Sequence, residues 1–271
     1  MPSIGSWDTT NLVLSVAPNA LKLGDNPAAF NSGTFPVYQG ENAGSKKTCT
    51  LTNMAAGYGY TTNGLLKLDG VDDILQFNYA TAWTNINKFT VEHWIYHNGS
   101  STTEYLYSEG ENASNYLGLA IRPGQLIRVT FNIGGTVRTV LTSTKLNTLA
   151  FNHIVYVKDG ATMMVYINGS EASYTTQDSY NLGTKTFGAN AVYGALNRGS
   201  FSSWSDQDTY QINVYDDAIS PARILANYNA GITNRDILGS DNGDDTMRLY
   251  LPSTGVTHQS HTAIHTGIAM M

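Results

Sequence analysis

The most constraining feature of the sequence is a segment in which large side chains alternate between the two faces of an extended chain. In residues 88–96, Phe89, Val91, His93 and Ile95 fall on one face, and the other face also contains large residues. A period of two indicates a β-strand, because successive side chains point to opposite sides of a sheet. Large residues on both faces predict a central strand that is covered on both sides.

Two turn signals follow the next strand-like segment, residues 151–158. Asp159-Gly160 ends that segment, and Asn168-Gly169 ends the following one, residues 163–167. Asp-Gly and Asn-Gly accept the positive φ angles of type I′ turns, whose twist matches that of two antiparallel strands. The pattern therefore predicts a meander of three antiparallel strands.

Short β-type segments recur along most of the chain, with glycine- or asparagine-containing turns between them. Such spacing indicates an all-β sandwich or barrel. A charged fraction of only 13% agrees, because a long exposed helix would need more Glu and Lys. The further predicted strands are residues 12–16, 64–68, 73–77, 105–108, 116–121, 126–131, 137–141, 184–187, 209–215 and 247–251.

One short helix is predicted near residues 220–230, lying against an edge of the sandwich. Ser220 can cap its N-terminus, Pro221 suits its first position, and Gly231 can end it. The apolar stripe of this helix would consist of Ile224, Leu225 and Tyr228.

Four segments in the right order resemble the strands of concanavalin A-like, laminin-G-like domains. Residues 66–73 resemble their FDGxDD strand and turn, and residues 89–96 resemble their FTxExWVY strand. Residues 151–169 resemble their hairpin ending in LYVNG, and residues 210–231 resemble their last strand and the helix that ends in YNAG. The resemblance implies an all-β fold, a two-sheet antiparallel jelly-roll sandwich.

The domain organisation follows from the resemblance and from composition. Residues 1–231 are predicted to form the jelly roll, including an N-terminal strand and a long surface loop at residues 24–48 that is rich in Gly, Asn, Ala and Pro. Residues 232–271 have no counterpart in the family and end in a polar, small-residue segment. We expect them to be a C-terminal extension or docking arm.

Residues 11–15 and 50–53 are similar to versions of this domain in tailed-phage structural proteins. The similarity implies a bacteriophage virion protein (capsid decoration, head fibre or tail component) that contacts other virion proteins, forms a homo-oligomer and attaches to host-surface glycans. A free secreted or cell-surface carbohydrate-binding module is the alternative. The first residues contain neither a basic nor an apolar signal-peptide region, so we expect synthesis in the host cytoplasm and location on the virion.

Charge and hydropathy exclude two further classes of partner. The net charge is −6, and no basic run is longer than Lys46-Lys47, whereas nucleic-acid binding relies on basic patches that neutralise phosphates. No stretch approaches the roughly 18 apolar residues of a membrane span. The single cysteine, Cys49, excludes an internal disulfide and is predicted to be buried.

Catalysis is not expected. The fold that the resemblance implies also hosts glycosidases, which place paired carboxylates on an E-x-D-x-x-E strand. None of the six glutamates lies in such a motif: Glu92 is followed by His93-Trp94, and Glu109 and Glu111 fall in a predicted solvated loop.

Two sets of binding residues are predicted. The loop at residues 189–207 contains Tyr193, Arg198 and Trp204, which are candidates to contact a glycan, although the aromatic residues can instead pin the loop to the sandwich. No cofactor is required, but calcium at the sandwich rim is implied by the resemblance. Asp206 and Asp208 are its candidate ligands, and Asp72-Asp73 is a further cluster. Ordinary turn aspartates are the favoured alternative for each cluster.

Overall fold

The computed structural model describes residues 12–16, 34–36, 38–39, 48–54, 59–60, 66–80, 87–181, 190–215 and 217–239. These residues form β-strands and one helix, α1 (Pro221–Gly239). The strands of the first half are β1 (Leu12–Val16), β2 (Thr34–Pro36), β3 (Tyr38–Gln39), β4 (Thr48–Thr52), β5 (Gly59–Tyr60), β6 (Leu66–Lys67), β7 (Ile74–Ala80), β8 (Lys88–His97), β9 (Glu104–Asn112) and β10 (Asn115–Arg122). Those of the second half are β11 (Leu126–Ile133), β12 (Thr136–Lys145), β13 (Ala150–Asp159), β14 (Thr162–Ile167), β15 (Ser170–Glu171), β16 (Tyr174–Gln177), β17 (Asn190–Tyr193), β18 (Leu196–Asn197), β19 (Phe201–Ser202) and β20 (Asp208–Tyr215).

Two antiparallel sheets face each other. The first, here called the β8 sheet, has the order β15-β14-β13-β8-β20-β1-β3, and β6 pairs with β20 and with β5. The second, the β10 sheet, has the order β16-β12-β11-β10-β9-β17-β7-β4-β2, and β18 and β19 form a separate hairpin. The predicted all-β, two-sheet antiparallel jelly-roll sandwich is confirmed.

The hydrophobic core lies between the sheets and takes alternate side chains from each. Phe89, Val91 and Ile95 of β8 belong to one buried cluster with Leu117 and Leu119 of β10. Strand β8 pairs with β13 on one side and with β20 on the other, and nearly all of its residues are buried. The prediction of a central strand covered on both faces is confirmed.

The predicted meander corresponds to β13, β14 and β15. The turn after β13 contains Gly160 with a φ of 57°, and the turn after β14 contains Asn168 and Gly169 with φ values of 52° and 80°. The Asn168-Gly169 turn thus has the two positive φ angles of the predicted type I′ turn. In the other turn Asp159 still pairs with Thr162, and of the two residues between them only Gly160 has a positive φ, as in a type II′ turn, so the prediction of type I′ is wrong there.

Several local predictions need correction. Two short strands, β2 and β3, lie inside the segment 24–48 that was predicted to be a long loop. Strand β17 begins the segment 189–207, which was also predicted to be a loop. The predicted strands at residues 184–187 and 247–251 lie outside the described residues.

Helix α1 begins at Pro221 as predicted but continues through Gly231 to Gly239, and it covers a face of the β8 sheet instead of an edge. The Tyr228 ring stacks on Trp94 of β8 at 5.8 Å between ring centres. A Cβ atom at Gly231 would overlap the Trp94 ring, so this glycine permits close packing and does not end the helix. Leu225, predicted to be in the apolar stripe, is 47% exposed.

The predicted domain boundary at residue 231 falls inside α1. Residues 240–271, which are most of the predicted arm, lie outside the described residues. The arm therefore stays a prediction. In the part of the chain that the structure describes, no helix is long and apolar enough to cross a bilayer.

A buried carboxylate attaches α1 to the sheet. Glu92 on β8 accepts hydrogen bonds from His153 Nε2 at 2.7 Å, Tyr215 Oη at 2.6 Å, Asn213 Nδ2 at 2.9 Å and Asn227 Nδ2 of the helix at 3.0 Å. Burial by itself would raise the pKa of Glu92, but these hydrogen bonds, led by that of His153, lower it to about 2. The carboxylate is therefore ionised and fully enclosed, which fits a structural role.

Candidate functional site

The loop that follows β17 lies across the outer face of the β10 sheet. Leu196 packs against Tyr105, Tyr116 and Ala120 on that face. Ser108 of β9 fixes the loop backbone: its Oγ donates to the Ala195 carbonyl at 2.7 Å and accepts from the Asn197 amide at 2.8 Å. The predicted binding loop is therefore held down on the sheet and does not project from it.

Tyr193, predicted to contact a glycan, is fully buried, so this prediction is wrong. The residue belongs to β17, where alternation turns Tyr193 into the core and Val192 outward. The Tyr193 ring lies 5.7 Å from that of His93, and its hydroxyl is hydrogen-bonded to Thr209. Tyr193 thus connects the two sheets.

Trp204 is half-buried and packs against Ile74, Val192 and Ala195 on the outer face of the sheet. Its ring lies 6.0 Å from that of Phe201, which is 40% exposed. These contacts favour the alternative in which the aromatic residues pin the loop. A glycan contact of Trp204 stays a prediction.

Arg198, the third predicted glycan contact, is exposed, and its guanidinium carbon lies 5.6 Å from the centre of the Tyr116 ring. A similar pair lies beside it, where Arg128 of β11 is 5.9 Å from the centre of the Tyr105 ring and donates from Nη2 to Tyr105 Oη at 2.8 Å. These four residues are called the arginine–tyrosine face below. Tyr105, Tyr116 and Arg128 were missed by the sequence analysis, which identified their segments only as strands.

The register of the sheet explains why the two pairs share one face. Ala120 of β10 pairs with Tyr105 on one side and with Arg128 on the other, so the three side chains point the same way. Two residues earlier, Gly118 leaves room for the Tyr105 ring, which a Cβ atom at this position would overlap. Tyr105 therefore lies across β10 and reaches Arg128.

The charges of both guanidinium groups act on the phenol of Tyr105. Burial raises the pKa of Tyr105, and the positive charges of Arg128 and Arg198 both act in the opposite direction. Tyr105 and Tyr116 are only 3% and 8% exposed. The tyrosines are thus a buried support, and the arginines form the accessible layer.

Two buried polar atoms on this face have no hydrogen-bond partner among the described residues. They are Nε of Arg128 and Oδ1 of Asn132, on the same side of β11 with Thr130 between them. Leaving such an atom unpaired costs about 1–3 kcal/mol, so each one calls for a physical reason. A donor and an acceptor on one face are suited to hydroxyl groups, directly or through water.

The rim of the sandwich contains a second cluster of functional groups. Asp69, Asp72 and Asp73 each place an oxygen within 4.8 Å of the others, and they are called the rim cluster below. Asp73 accepts a hydrogen bond at Oδ2 from the Asp69 amide at 2.8 Å, whereas its buried Oδ1 has no partner among the described residues. Burial, with added repulsion from Asp69 and Asp72, raises the pKa of Asp73 to about 6.

The predicted calcium ligands Asp206 and Asp208 line a surface depression next to the rim cluster, together with Lys67, Leu68, Asp69 and Asn98. Lys67 Nζ lies 3.8 Å from Asp208 Oδ2. The side-chain amide of Gln207 donates to Asp206 Oδ1 at 2.6 Å and to Glu104 Oε2 at 2.7 Å. Burial is the main cause that raises the pKa of Asp206 to about 6, and repulsion from Glu104 adds to it. Calcium binding here stays a prediction.

The positions of the other glutamates bear on the catalytic alternative. Glu109 was predicted to lie in a solvated loop together with Glu111, but Glu109 is fully buried on β9, whereas Glu111 is exposed. This prediction was wrong because the segment 104–112 continues as a strand past the predicted end at residue 108.

Several solved structures are similar to this chain. Trypanosoma rangeli sialidase matches with a TM-score of 0.57 and 14% identity, over 87% of this chain and 34% of that chain. The binding domain of botulinum neurotoxin serotype D/C matches with a TM-score of 0.57 and 11% identity, over 82% of this chain and 52% of that one. A Ruminococcus gnavus sialidase CBM40 bound to α2,3-sialyllactose has a TM-score of 0.47 and 15% identity, over 54% of this chain and 84% of that chain.

The chain spans only about a quarter to a third of the length of the full sialidases that it matches. No curated protein sequence matches it. The family model described as the concanavalin A-like lectin/glucanases superfamily matches residues 69–225, which is more than half of the 271 residues. With the observed jelly roll, this match shows that the chain belongs to the concanavalin A-like lectin/glucanase superfamily.

Proposed function

We propose that the protein is a glycan-binding module whose binding surface is the outer face of the β10 sheet. The observation that supports this most directly is the unpaired donor and acceptor on β11, Nε of Arg128 and Oδ1 of Asn132. A sugar offers donors and acceptors on every hydroxyl, so it can pair with both types of atom. Among the described residues, α1 covers the other sheet, and the loop 194–204 packs on β7, β17, β9 and β10 of this one.

The edge of this surface has the polarity of a sugar site. Thr130 pairs with Thr139 of β12, and Asn132 pairs with Val137, which is 48% exposed. Hydroxyl groups and an exposed apolar side chain thus adjoin the two unpaired atoms. Such a mixture suits a sugar ring, which has polar edges and apolar C–H faces.

We further propose that the protein binds without catalysing a reaction. Glycoside hydrolysis requires two carboxyl groups on either side of the scissile bond. Glu92 is enclosed beneath α1, Glu109 is fully buried on β9, and Glu104 accepts a hydrogen bond from the side-chain amide of Gln207, so these three are poorly placed to reach a substrate. Incubation with any glycan that binds, followed by mass spectrometry of the glycan, tests the proposal; a cleaved product would contradict it.

Glycan-array screening of the intact protein tests the binding proposal. We expect the wild type to bind a subset of glycans, and Asn132→Leu and Thr130→Val to lose that binding. Thr162→Val, on an exposed position of β14 in the other sheet, is the matched control and should bind as the wild type does. An array on which the wild type binds nothing would refute the proposal, and binding unaffected by both β11 variants would place the site elsewhere.

Calcium at the rim is a second proposal. The support is the rim cluster, in which three carboxylates converge and one oxygen of the buried Asp73 has no partner among the described residues. Hard cations such as Ca²⁺ prefer several carboxylate oxygens. Asp206 and Asp208 of the adjacent depression can add ligands, and Lys67 would have to move away from Asp208.

We propose that the module belongs to a bacteriophage particle, where it contacts other virion proteins, forms a homo-oligomer and presents its glycan face to the host surface. The support is the similarity of residues 11–15 and 50–53 to tailed-phage structural proteins. A free secreted or cell-surface carbohydrate-binding module remains the alternative.

Mass-spectrometric analysis of purified particles from the native source distinguishes the two. The virion proposal predicts the protein at a fixed, symmetric copy number, and deletion of residues 252–271 should prevent its incorporation if the arm docks. A glycan-binding monomer found only outside particles would support the alternative.

A further inference from the structure

The arginine–tyrosine face concentrates positive charge in an acidic protein. The chain has a net charge of −6, yet Arg128 and Arg198 lie on one face within electrostatic reach of the Tyr105 phenol. The ion pairs formed among the described residues are Lys67–Asp208, Lys88–Asp217 and His153–Glu92. Neither arginine of this face has a carboxylate partner in that part of the chain.

Each guanidinium is held in place by the tyrosine below it. Arg128 donates to Tyr105 Oη and lies over the Tyr105 ring, and Arg198 lies over the Tyr116 ring. A guanidinium that is stacked and hydrogen-bonded on one side keeps further N–H groups for a ligand. In Arg128, the buried Nε has no partner among the described residues. The two side chains are thus preorganised cations, unlike freely rotating surface lysines.

We infer that the glycan bound by this face contains an anionic group, a carboxylate or a sulfate, which Arg128 and Arg198 recognise together. The inference rests on the proposed glycan-binding function and specifies its ligand class. A guanidinium matches the two oxygens of such a group with parallel hydrogen bonds, and these charge-assisted bonds are about twice as strong as neutral ones. Hydroxyl contacts along Thr130 and Asn132 would then hold the rest of the sugar.

Matched glycans that differ in charge test the inference. The affinity of the intact protein is measured by calorimetry and by ligand-observed NMR for lactose, 3′-sulfolactose and 3′-sialyllactose. We expect at least one acidic glycan to bind about tenfold or more tightly than lactose, because it adds charge-assisted hydrogen bonds. The sulfate and carboxylate probes identify which acidic group is preferred. The preference should weaken as NaCl is raised, because salt screens exposed charges.

Substitutions of the two arginines test whether they cause the preference for acidic glycans. Arg128→Gln and Arg198→Gln should each remove most of the preference for the acidic glycan, measured as the ratio of its affinity to that of lactose. Arg128→Gln should also weaken lactose binding, because Nε of Arg128 belongs to the proposed binding surface. Arg138→Gln is the matched control: Arg138 of the same sheet lies 5.0 Å from the Tyr180 ring, but the register places it opposite the core residue Phe131, away from this face. Thermal unfolding of each variant checks that the fold is intact.

The outcomes separate the inference from the function on which it rests. Equal affinity for lactose and for both acidic glycans would overturn the inference and leave the glycan-binding function standing. Acid-selective binding that survives both arginine substitutions would also overturn it, since the anion would then bind elsewhere. An absence of binding to every glycan would refute the proposed function itself.

Discussion

The guanidinium carbon of Arg198 lies 5.6 Å from the centre of the Tyr116 ring, and this contact joins the loop after β17 to the outer face of β10. The same loop is anchored two residues earlier by Leu196, which is only 4% exposed. The two contacts have different physical origins. The apolar one fixes the loop, and the cationic one orients a side chain for binding.

Because the two contacts differ in origin, we expect their removal to lower the free energy of unfolding by different amounts. Leu196→Ala should lower the free energy of unfolding by about 2–5 kcal/mol, because it leaves a cavity between Tyr105 and Tyr116. Arg198→Ala should lower it by only about 0.5–1 kcal/mol, as for an exposed cation–π pair. Urea titrations of both variants measure the difference. A larger loss for Arg198→Ala than for Leu196→Ala would show that the cation, not the leucine, holds the loop.

Gly118 allows the Tyr105 ring to lie on β10, so Gly118→Ala should disturb the arginine–tyrosine face. We expect a loss of about 1–3 kcal/mol in stability, which is typical of overpacking, and a loss of glycan binding. Tyr105→Leu removes the ring that the new methyl group would meet. In the Tyr105→Leu background, Gly118→Ala should lower the free energy of unfolding much less. An unchanged loss would argue against an overlap between the new methyl group and the Tyr105 ring.

Because Glu92 is buried and has a lowered pKa, we expect the protein to lose stability in a defined acidic pH range. Its pKa in the folded protein is about 2, below the value near 4.5 of an unperturbed glutamate. The unfolded chain therefore takes up a proton first, and the stability that Glu92 contributes is present above pH 4.5 and is lost as the pH falls towards 2.

Glu92→Gln should lower the free energy of unfolding at pH 7 by about 3–5 kcal/mol, because it breaks a buried ionic network. The difference from the wild type should shrink as the pH is lowered from 4.5 to 2. Urea titrations at several pH values measure this, with Glu111→Gln, at an exposed position on β9, as the control. A deficit that is independent of pH would contradict the assignment.

His93 predicts a loss of stability at milder acidity. It is fully buried between the sheets with both ring nitrogens unpaired among the described residues, and burial lowers its pKa to about 3. The unfolded chain gains a proton below a pH of about 6.5, which destabilises the folded state by up to about 1.4 kcal/mol per pH unit.

His93→Phe removes this titration and keeps an aromatic ring near Tyr107 and Tyr193. The stability lost between pH 7.5 and pH 5, measured by urea titration, should be smaller in the variant than in the wild type. An equal loss in both proteins would show that His93 does not govern it.

The rim cluster predicts a response to calcium that depends on Asp73. The raised pKa of about 6 means that the metal-free folded protein loses stability as the pH rises from about 4 through 6, because the folded state holds its proton longer than the unfolded chain does. Ca²⁺ should reverse this loss and add about 2.7 kcal/mol at a concentration 100 times its Kd. Thermal unfolding with Ca²⁺ or with a chelator at pH 7 measures the shift.

Asp73→Asn should abolish the calcium response and raise the stability of the metal-free protein relative to the wild type at pH 7. Asp159→Asn, at an exposed position at the end of β13, should leave the response unchanged. A calcium shift that persists in Asp73→Asn would place the ion elsewhere.

The sequence was sufficient for features set by local chemistry. Alternation over residues 88–96 and the Asp-Gly and Asn-Gly turns depend on neighbouring residues, so β8 and the β13–β14–β15 meander could be predicted. The end of α1 could not, because Gly231 resembles a helix terminator. Its role is to make room for Trp94, a residue distant in sequence.

The candidate site was less predictable for a related reason. Tyr193 resembles a loop residue because Gly194 follows it, and only the pairing of β17 with β7 and β9 turns its side chain into the core. Arg128 and Asn132 occupy alternate polar positions on β11, which indicates only an outward face. Their meeting with Tyr105 and Arg198 depends on long-range pairing that no local pattern encodes.

The location of the bound glycan tests the central claim most directly. Backbone amide shifts of the isotopically labelled protein are followed by NMR during titration with the glycan that it binds most tightly. We predict that the largest shifts occur in β10, in β11 and at residues 196–198. Shifts confined to the rim at residues 69–73 and 206–208, with β10 and β11 unaffected, would contradict binding on the outer face of the β10 sheet.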